Sequence, residues 1–308
     1  MSGAKKRDLL SLADLTSEEL QGLLDLALAL KREPAPSARL RGKSLALVFE
    51  KPSLRTRVSF DVAMYQLGGH ALYLGAEEVG FGKREPLSDM ARTLSRYVDG
   101  IVARTFAHKT VEELARHATV PVINGLSDQE HPCQALADVL TILECKGRLK
   151  GLQVAFVGDG NNVANSLCLA CAMLGVQFRA ASPRGFQSPS QVALRANDLA
   201  RQSGAQVSFL IDPRAAVRGA DVVYTDVWTS MGQEAEAERR RQAFAAYQVN
   251  EELLALAKPD AIVMHDLPAH RGEEITGEAI EGPQSVVFHQ AENRLHAQKA
   301  VLVTLLAR

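Results

Sequence analysis

The stretch Phe49-Glu-Lys-Pro-Ser53-Leu-Arg-Thr-Arg57 decides where this chain changes from strand to helix. Before it, residues 44–49 form an apolar run that is typical of a buried strand. After it, residues 58–67 are apolar at helical spacing, and Gly68-Gly69 is a typical helix stop. The quoted residues are therefore predicted to form a strand-to-helix turn.

Ser53, Arg55 and Thr56 give this turn the chemistry of an anion site. Free N–H groups point out of a helix N-terminus, and the dipole there favours negative charge. Hydroxyls and a planar guanidinium are further groups that suit a phosphate. Taken alone, the turn fits equally well a helix that is capped by Ser53 and followed by solvated arginines.

Length and charge narrow the class of protein. The chain has 308 residues and a formal net charge of -1, which fits two domains and disfavours nucleic-acid binding. No apolar stretch is long enough to span a bilayer, so no membrane contact is expected. Four cysteines in a chain of this size do not build a disulfide framework and fit a reducing cytoplasm. The eight histidines show no paired zinc-ligand spacing, so no metal is predicted.

Strands alternate with helices along the whole chain. This predicts an α/β fold of two doubly wound parallel-sheet domains. The break at residues 146–151 divides the chain into residues 1–146 and 147–290. The predicted strands are 44–49, 70–74, 100–104, 120–124, 154–157, 176–181, 207–211, 222–225, 261–264 and 286–288.

Segments between these elements carry four further predictions. Residues 76–86 are polar and contain glycine, which predicts a mobile loop. Thr110 and Glu113 have the spacing of a capping box, and residues 234–241 are expected to be a solvated helix face. Cys168 and Cys171 have redox spacing but lie well inside a helix, so small buried residues are the better interpretation.

Polar residues stand where predicted strands end, which is where open α/β sheets bind ligands. Arg104 ends one strand, and His131 and Gln134 share a face at the start of a helix. A histidine donor can polarise a carbonyl oxygen, and an amide oxygen can hold an NH2 group. Taken singly, a surface arginine and a helix-capping histidine are simpler explanations.

The second half of the chain has similar strand ends. Residues 157–163 follow a strand and open a helix as a dinucleotide fingerprint does, but Val163 replaces the third glycine, so nicotinamide binding is not expected. Asn162 in this turn could bind a carboxylate. Asp226 could hold an ammonium group, and His265 with Asp266 suggests proton chemistry, although ordinary turn and loop residues would look the same.

Together these residues resemble the aspartate/ornithine carbamoyltransferase family, and within it the ornithine carbamoyltransferases. The resemblance covers nearly the whole chain, and its motifs follow in the family's order. They are Ser53-Leu54-Arg55-Thr56, Arg104, His131-Pro132-Cys133-Gln134, Gly158-Asp159-Gly160-Asn161-Asn162, Asp226 with Ser230-Met231-Gly232, His265-x-Leu267-Pro268 and Glu292-Asn293-Arg294. The Ser230-Met231-Gly232 loop indicates the ornithine branch.

The resemblance implies transfer of the carbamoyl group of carbamoyl phosphate to the δ-amine of L-ornithine, giving L-citrulline and phosphate for arginine biosynthesis. The first domain would bind carbamoyl phosphate, and the second would bind ornithine. The residues implied for carbamoyl phosphate are Ser53, Leu54, Arg55, Thr56, Arg104, His131, Gln134, Leu267 and Arg294. The residues implied for ornithine are Asn162, Asp226, Ser230 and Met231. Arg104 and His131 would polarise the carbonyl group.

The resemblance also implies features of the whole protein. No cofactor is expected, because the amine attacks directly and no protein nucleophile is needed. The expected assembly is a homotrimer or a multiple of trimers with sites between subunits. A C-terminal helix, residues 291–308, would pack back on the first domain, and the two domains would close on both substrates, with the active site in the cleft between them.

Two positions depart from the family pattern. Asp266 stands where the family usually has a cysteine near the reacting nitrogen, so it is expected to be catalytic along with Arg104 and His131. Gly80 is nearest to a glutamine that reaches a neighbouring site in some members, and Lys83 could replace it. Two other functions stay open: a carbamoyltransferase for another amine, and a catalytically silent paralogue that binds carbamoyl phosphate.

Overall fold

The computed structural model describes residues 6–81 and 84–307. Contacts divide the chain into two compact units, Met1–Ala137 with Asn293–Arg308 (unit 1) and Asp138–Glu292 (unit 2). Each unit is built on an all-parallel sheet with helices between the strands, so the predicted fold class of two α/β domains is confirmed. The boundary between the two units, at residues 137 and 138, falls inside the helix Pro132–Lys146. The boundary expected from the sequence, at residues 146 and 147, falls at the end of that helix.

Unit 1 has a four-stranded sheet in the order β2-β1-β3-β4. The strands are β1 (Ser44–Phe49), β2 (His70–Gly75), β3 (Gly100–Arg104) and β4 (Val122–Leu126). The helices are α1 (Ser17–Arg32), α2 (Leu54–Gln66), α3 (Ala76–Val79), α4 (Leu87–Leu94), α5 (His108–His117), the start of α6 (Pro132–Lys146) and most of α13 (Val287–Leu306). The chain goes from β1 to one side and then returns to β3 on the other. The topological switch therefore lies between β1 and β3.

Unit 2 has a five-stranded sheet in the order β7-β6-β5-β8-β9. The strands are β5 (Gln153–Val157), β6 (Gln177–Ala181), β7 (Val207–Leu210), β8 (Val222–Thr225) and β9 (Ile262–His265). The helices are α7 (Asn162–Met173), α8 (Ser190–Ser203), α9 (Pro213–Val217), α10 (Ala237–Phe244), α11 (Glu251–Leu254) and α12 (Gly277–Glu281). Its switch point lies between β5 and β8, so both sheets present a switch at the carboxyl ends of central strands.

Central strands are apolar on both faces, because helices cover both sides of a parallel sheet. Residues 45–49 of β1 and all of β3 and β8 are buried. In unit 2 the core also contains aromatic side chains from outside the sheet. Trp228 and Tyr247 both pack against the ring of Phe244. The ends of these strands are therefore held firmly. Among the described residues, no helix has the length and apolarity needed to cross a bilayer.

The last predicted strand, residues 286–288, is wrong. Val287 is the first residue of α13, and the neighbouring strand-like contact is a bridge between Val263 and Ser285. Three apolar residues are too few for their periodicity to distinguish a short strand from the first turn of a helix.

Two predictions about segments between the elements also fail. Residues 76–79 form the short helix α3 instead of a loop, and Gly80 ends it at φ +60°, a left-handed conformation that glycine adopts without strain. Lys83 lies outside the described residues. Thr110 is inside α5 and not at its cap, because the N–H of His108 already donates to Asp128 Oδ1 at 2.7 Å.

The helix around residues 237–244 is not simply a solvated face. Arg240 is 6% exposed, whereas its neighbours Arg239 and Arg241 are exposed. The interpretation of Cys168 and Cys171 as small buried residues is confirmed, since both lie inside α7 and are inaccessible to solvent.

Candidate active site

The turn after β1 in unit 1 gathers buried cations around one hydroxyl. Ser53 caps α2 by accepting from the N–H of Thr56 at 3.2 Å. The Oγ1 of Thr56 accepts from Arg104 Nη1 at 3.4 Å and from Arg294 Nη2 at 3.2 Å. All three of these side chains are buried. Two guanidinium groups held side by side in the interior are an arrangement that a bound anion would stabilise.

His131 and Gln134 lie against the same cations. The pKa of His131 is held well below its usual value, first by burial and then by the positive charges of Arg294 and Arg104. The ring is therefore neutral at pH 7 and can donate one N–H to an oxygen. The Oε1 of Gln134 accepts from Arg294 Nη1, and an amide oxygen has a second lone pair for another donor.

Lys51 is a member of this cluster that the sequence analysis did not single out. Its Nζ lies 4.9 Å from the centre of the Phe106 ring, and its pKa is lowered to about 8 by burial and by the charge of Arg104. Its position in the turn after β1 was a signal that could have identified it. Leu54, by contrast, is 74% exposed, so only its backbone N–H can serve an anion at the helix start.

The corresponding turns of unit 2 present carboxylates. Asp226 ends β8 and is 6% exposed; its Oδ2 accepts from Asn161 Nδ2 at 2.6 Å, and its Oδ1 accepts from the N–H of Val227 at 2.7 Å. Asn161 also caps α7 by accepting from the N–H of Val163 and that of Ala164. Asn162, which the sequence suggests as a carboxylate ligand, is the first residue of α7, and the preceding Asn161 is the residue that contacts Asp226.

His265 and Glu274 fix the turn after β9. The Nδ1 of His265 accepts from the N–H of Leu267 at 2.9 Å, so its Nε2–H donates to Glu274 Oε1 at 3.1 Å. Both His265 and Glu274 are inaccessible to solvent. Leu267 has a φ of +60°, a conformation that costs free energy in a residue with a Cβ atom and recurs at functional sites.

Asp266 lies beside Asp226, because Thr225 and His265 are partners in neighbouring parallel strands. The ligand atoms of Asp226, His265 and Asp266 lie within 4.8 Å of one another. A second such group is His270, Glu273 and Glu274, but Arg241 Nε lies 3.1 Å from Glu273 Oε1 and opposes a further cation there. Since His265 already uses its Nδ1 lone pair, the first group suits an ammonium group better than a metal ion.

Arg240 links the two turns of unit 2. Its Nη1 donates to Asp159 Oδ2 and to the carbonyl oxygen of Trp228, each at 2.9 Å. Burial raises the pKa of Asp159 to about 6, although Arg240 opposes the shift. Gly160 in the same turn has no room for a side chain, because a Cβ atom would lie 2.0 Å from the backbone N of Ser188. Asn162 comes two residues after Gly160, and Ser230 comes two residues after Trp228, so both lie next to positions that these contacts hold in place.

The loop after Trp228 is more open than the rest of this site. The N–H of Ser230 donates to Gln233 Oε1 at 3.1 Å, and Met231 is 45% exposed. The structure thus brings Ser53, Thr56, Arg104, His131, Gln134 and Arg294 together in unit 1. In unit 2 it brings together Asp226, His265 and Asp266.

Comparison with protein families matches both halves of the chain. The carbamoyl-P binding domain of aspartate/ornithine carbamoyltransferase matches residues 7–144, and the Asp/Orn binding domain matches residues 150–305. The ornithine carbamoyltransferase of Anoxybacillus flavithermus is 55% identical over 305 residues, covering 98% of this chain and 97% of that protein. The anabolic ornithine carbamoyltransferase of Pyrococcus furiosus is 56% identical over 303 residues, covering 97% and 96%.

Solved structures agree. The ornithine carbamoyltransferase structure from Pyrococcus furiosus has a TM-score of 0.95 and 55% identity, covering 99% of this chain and 98% of that one. The structure from Gloeobacter violaceus has a TM-score of 0.89 and 53% identity, covering 98% and 100%. On the matches to both domains and these full-length relatives, the chain belongs to the aspartate/ornithine carbamoyltransferase family.

Proposed function

We propose that this protein is an ornithine carbamoyltransferase, which joins carbamoyl phosphate and L-ornithine to give L-citrulline and phosphate. The observation that carries the proposal is the buried cluster of Arg104, Arg294 and neutral His131 around Thr56. Full-length relatives that carry the name ornithine carbamoyltransferase support the choice of acceptor. Arginine biosynthesis is the corresponding role, and one of these relatives is described as anabolic.

The unit 1 cluster would hold carbamoyl phosphate. Its phosphate would accept from Ser53, Arg55, Thr56 and the N–H groups at the start of α2, with Arg104 and Arg294 offsetting its charge. Neutral His131 would donate to the carbonyl oxygen, and the negative charge that develops there would be stabilised by the donors already in place. The NH2 group would donate to the amide oxygen of Gln134.

The unit 2 turns would hold ornithine. Asp226 would accept from its ammonium group, and Asn162 with the Ser230-Met231 loop would bind its carboxylate and stem. The δ-nitrogen must lose a proton before its lone pair can attack the carbonyl carbon. The C–N bond then forms, the bond from carbon to the phosphate oxygen breaks, and phosphate leaves within the cation cluster, taking the second proton that the nitrogen gives up.

Asp266 would face the reacting nitrogen. A carboxylate beside an ammonium group stabilises the protonated form and so raises the pKa of the amine. It can also accept the proton that the amine loses. We propose that the first effect dominates, so that the enzyme works best at a higher pH than one with cysteine at this position.

We further propose a homotrimer, or a multiple of trimers, in the cytoplasm. Three apolar side chains on one face of α2 are exposed, Leu54 (74%), Val58 (50%) and Tyr65 (69%), and exposed apolar stripes of this kind support self-association. All four cysteines are free, which fits a reducing compartment. Light scattering coupled to size-exclusion chromatography should give a mass that is a multiple of three chains, whereas a monomer would contradict this assembly.

The function is tested by measuring citrulline from purified protein, carbamoyl phosphate and L-ornithine. Putrescine and N-acetyl-L-ornithine serve as matched acceptors that lack, respectively, the carboxylate and the free α-amine. We expect turnover with ornithine and at least a hundredfold lower kcat/KM for the two analogues, or about 2.7 kcal/mol. Faster transfer to an analogue would identify another substrate. Binding of carbamoyl phosphate without transfer to any of the three would identify a silent paralogue.

A further inference from the structure

A cysteine, a histidine and a glutamate lie together outside the residues assigned above. Cys145 Sγ lies 3.6 Å from His289 Nδ1, and His289 Nε2 lies 2.8 Å from Glu144 Oε2. Glu144 and Cys145 belong to the last turn of α6, and His289 belongs to the first turn of α13. The cysteine is exposed, and the side chains of the other two residues are partly exposed.

The other three cysteines have a different environment. Cys133, Cys168 and Cys171 are buried. Burial raises the pKa of Cys133 to about 12 and raises those of Cys168 and Cys171 further. These residues are therefore held as thiols, which are poor nucleophiles. They provide an internal reference for the reactivity of Cys145 within one chain.

The arrangement at Cys145 is that of a nucleophile, a base and a group that orients the base. An imidazole next to a thiol can take its proton and leave the thiolate, which is the reactive form. A carboxylate on the far ring nitrogen holds the imidazole in place. A Glu144–His289 pair that merely connects two helices would need no thiol at this distance.

We propose that Cys145 is a reactive thiol site for small disulfides, with His289 as its proton acceptor and Glu144 as the group that orients His289. The Cys145 thiolate attacks one sulfur of the disulfide, a new S–S bond forms, and the old S–S bond breaks. The electron pair leaves with the second sulfur, which takes the proton from His289. The small disulfide is the co-reactant, so the products are a mixed disulfide and one free thiol.

The test treats the full-length protein with iodoacetamide, and separately with oxidised glutathione, at pH 7, and follows each cysteine by peptide mass spectrometry. We expect one modification per native chain, at Cys145. His289→Gln should slow alkylation of Cys145 about tenfold, and Glu144→Gln should slow it less. His117→Gln is the matched control, because His117 also pairs with a glutamate, at 3.0 Å from Glu113, without a cysteine among its described contacts. It should leave the rate unchanged.

The urea-unfolded chain supplies the reference if a variant is unstable. Native Cys145 that reacts faster than the same residue in urea supports the proposal, since folding then provides the activation. Native Cys145 that reacts no faster than in urea, or a rate that is equal in native protein and in folded His289→Gln, would overturn it. Labelling of Cys133, Cys168 or Cys171 at a comparable rate would overturn it as well. None of these outcomes depends on carbamoyl transfer.

Discussion

The two units place opposite charges at the same point of the same topology. At the switch between β1 and β3, unit 1 presents Arg104 beside the turn that begins α2. At the switch between β5 and β8, unit 2 presents Asp226 beside the turn that begins α7. A parallel sheet therefore provides the place for a ligand, whereas the side chains at its strand ends determine which ligand is bound.

The units also differ in how their buried charges are held. In unit 1, Arg104 and Arg294 both donate to the neutral hydroxyl of Thr56, and Arg294 also donates to the neutral amide of Gln134. In unit 2, Asp226 accepts from neutral donors, and the separate charge of Asp159 is paired with Arg240. We infer that unit 1 is prepared for a phosphate and that unit 2 is prepared for an ammonium group.

Removal of Arg104 tests whether unit 1 is the unit that binds the anion. Arg104→Ala is expected to lower kcat/KM for citrulline formation by at least about a hundredfold, because a donor to the developing oxyanion and the phosphate is lost, a cost of about 3 kcal/mol. Steady-state kinetics measure the loss. Arg96→Ala, at an exposed arginine of the same unit, is the control and should behave as the native protein. Near-native kinetics in Arg104→Ala would place the anion site elsewhere.

Arg240→Lys should weaken the link between the two turns of unit 2 that are proposed to hold ornithine. Lysine keeps the charge but has a single nitrogen, so it should not hold Asp159 and the Trp228 carbonyl, as Nη1 does, while also reaching Glu236, as Nε does. We expect KM for ornithine to rise about tenfold, or 1.4 kcal/mol, with KM for carbamoyl phosphate nearly unchanged. Trp228 is the single tryptophan of the chain, so its fluorescence should report the altered turn.

Arg241→Lys provides the matched control for that experiment. Arg241 lies on the same helix and pairs with Glu238 and Glu273, but its side chain is 50% exposed. Its variant should retain native kinetics and native fluorescence. Equal increases of both KM values in Arg240→Lys would mean that the arginine supports the fold in general and not the ornithine turns.

Asp266→Cys should change the pH dependence of transfer. A carboxylate at Asp266 would stabilise the δ-ammonium form, so that in the native protein the reactive amine would accumulate only at higher pH. We expect the rise of kcat/KM for ornithine to move about one unit toward lower pH in the variant, with about three- to tenfold more activity near neutrality. Superimposable profiles would show that Asp266 does not face the amine. A variant that is active where the native protein is inactive at every pH would favour the silent paralogue.

The smallest expected effect is that of Lys51 on inhibition by phosphate. Its pKa of about 8 means that its positive charge is present below that pH and lost above it. Inhibition by inorganic phosphate should therefore weaken as pH rises from 7 to 9, and Lys51→Met should remove about a two- to fivefold part of this change. The titration of phosphate itself is common to both proteins. Parallel profiles of the two proteins would show that Lys51 does not contact the anion.

Much of the fold and of the candidate site could be predicted from the sequence, because the informative residues lie at the ends of regular elements. Ser53, Thr56 and Arg104 follow from a strand, a turn and a helix that short-range patterns predict well. Asp226 follows for the same reason. Only their joint order along the chain separated a phosphate site from an ordinary helix cap.

Two of the misses, at Arg240 and at the start of α5, have a common physical cause, which is contact over long sequence separation. Arg240 looked like a solvated residue because its partner Asp159 is 81 residues away. His108 begins α5 because Asp128, 20 residues further on, accepts from its N–H. Local capping signals at Thr110 and Glu113 could not show this.

The position of α13 has a consequence for the order in which the protein is made. Arg294 completes the unit 1 cluster through Gln134 and Thr56, which precede it by 160 and 238 residues. At a translation rate of about 5–20 residues per second, the ribosome reaches Arg294 roughly ten to thirty seconds after Gln134. The nascent first half must therefore wait, with the site of α13 uncovered, while unit 2 is synthesised and can fold as a closed module. Chaperone demand should accordingly be highest in this interval, and ribosome-stalled chains that end before residue 293 should lack the completed anion site.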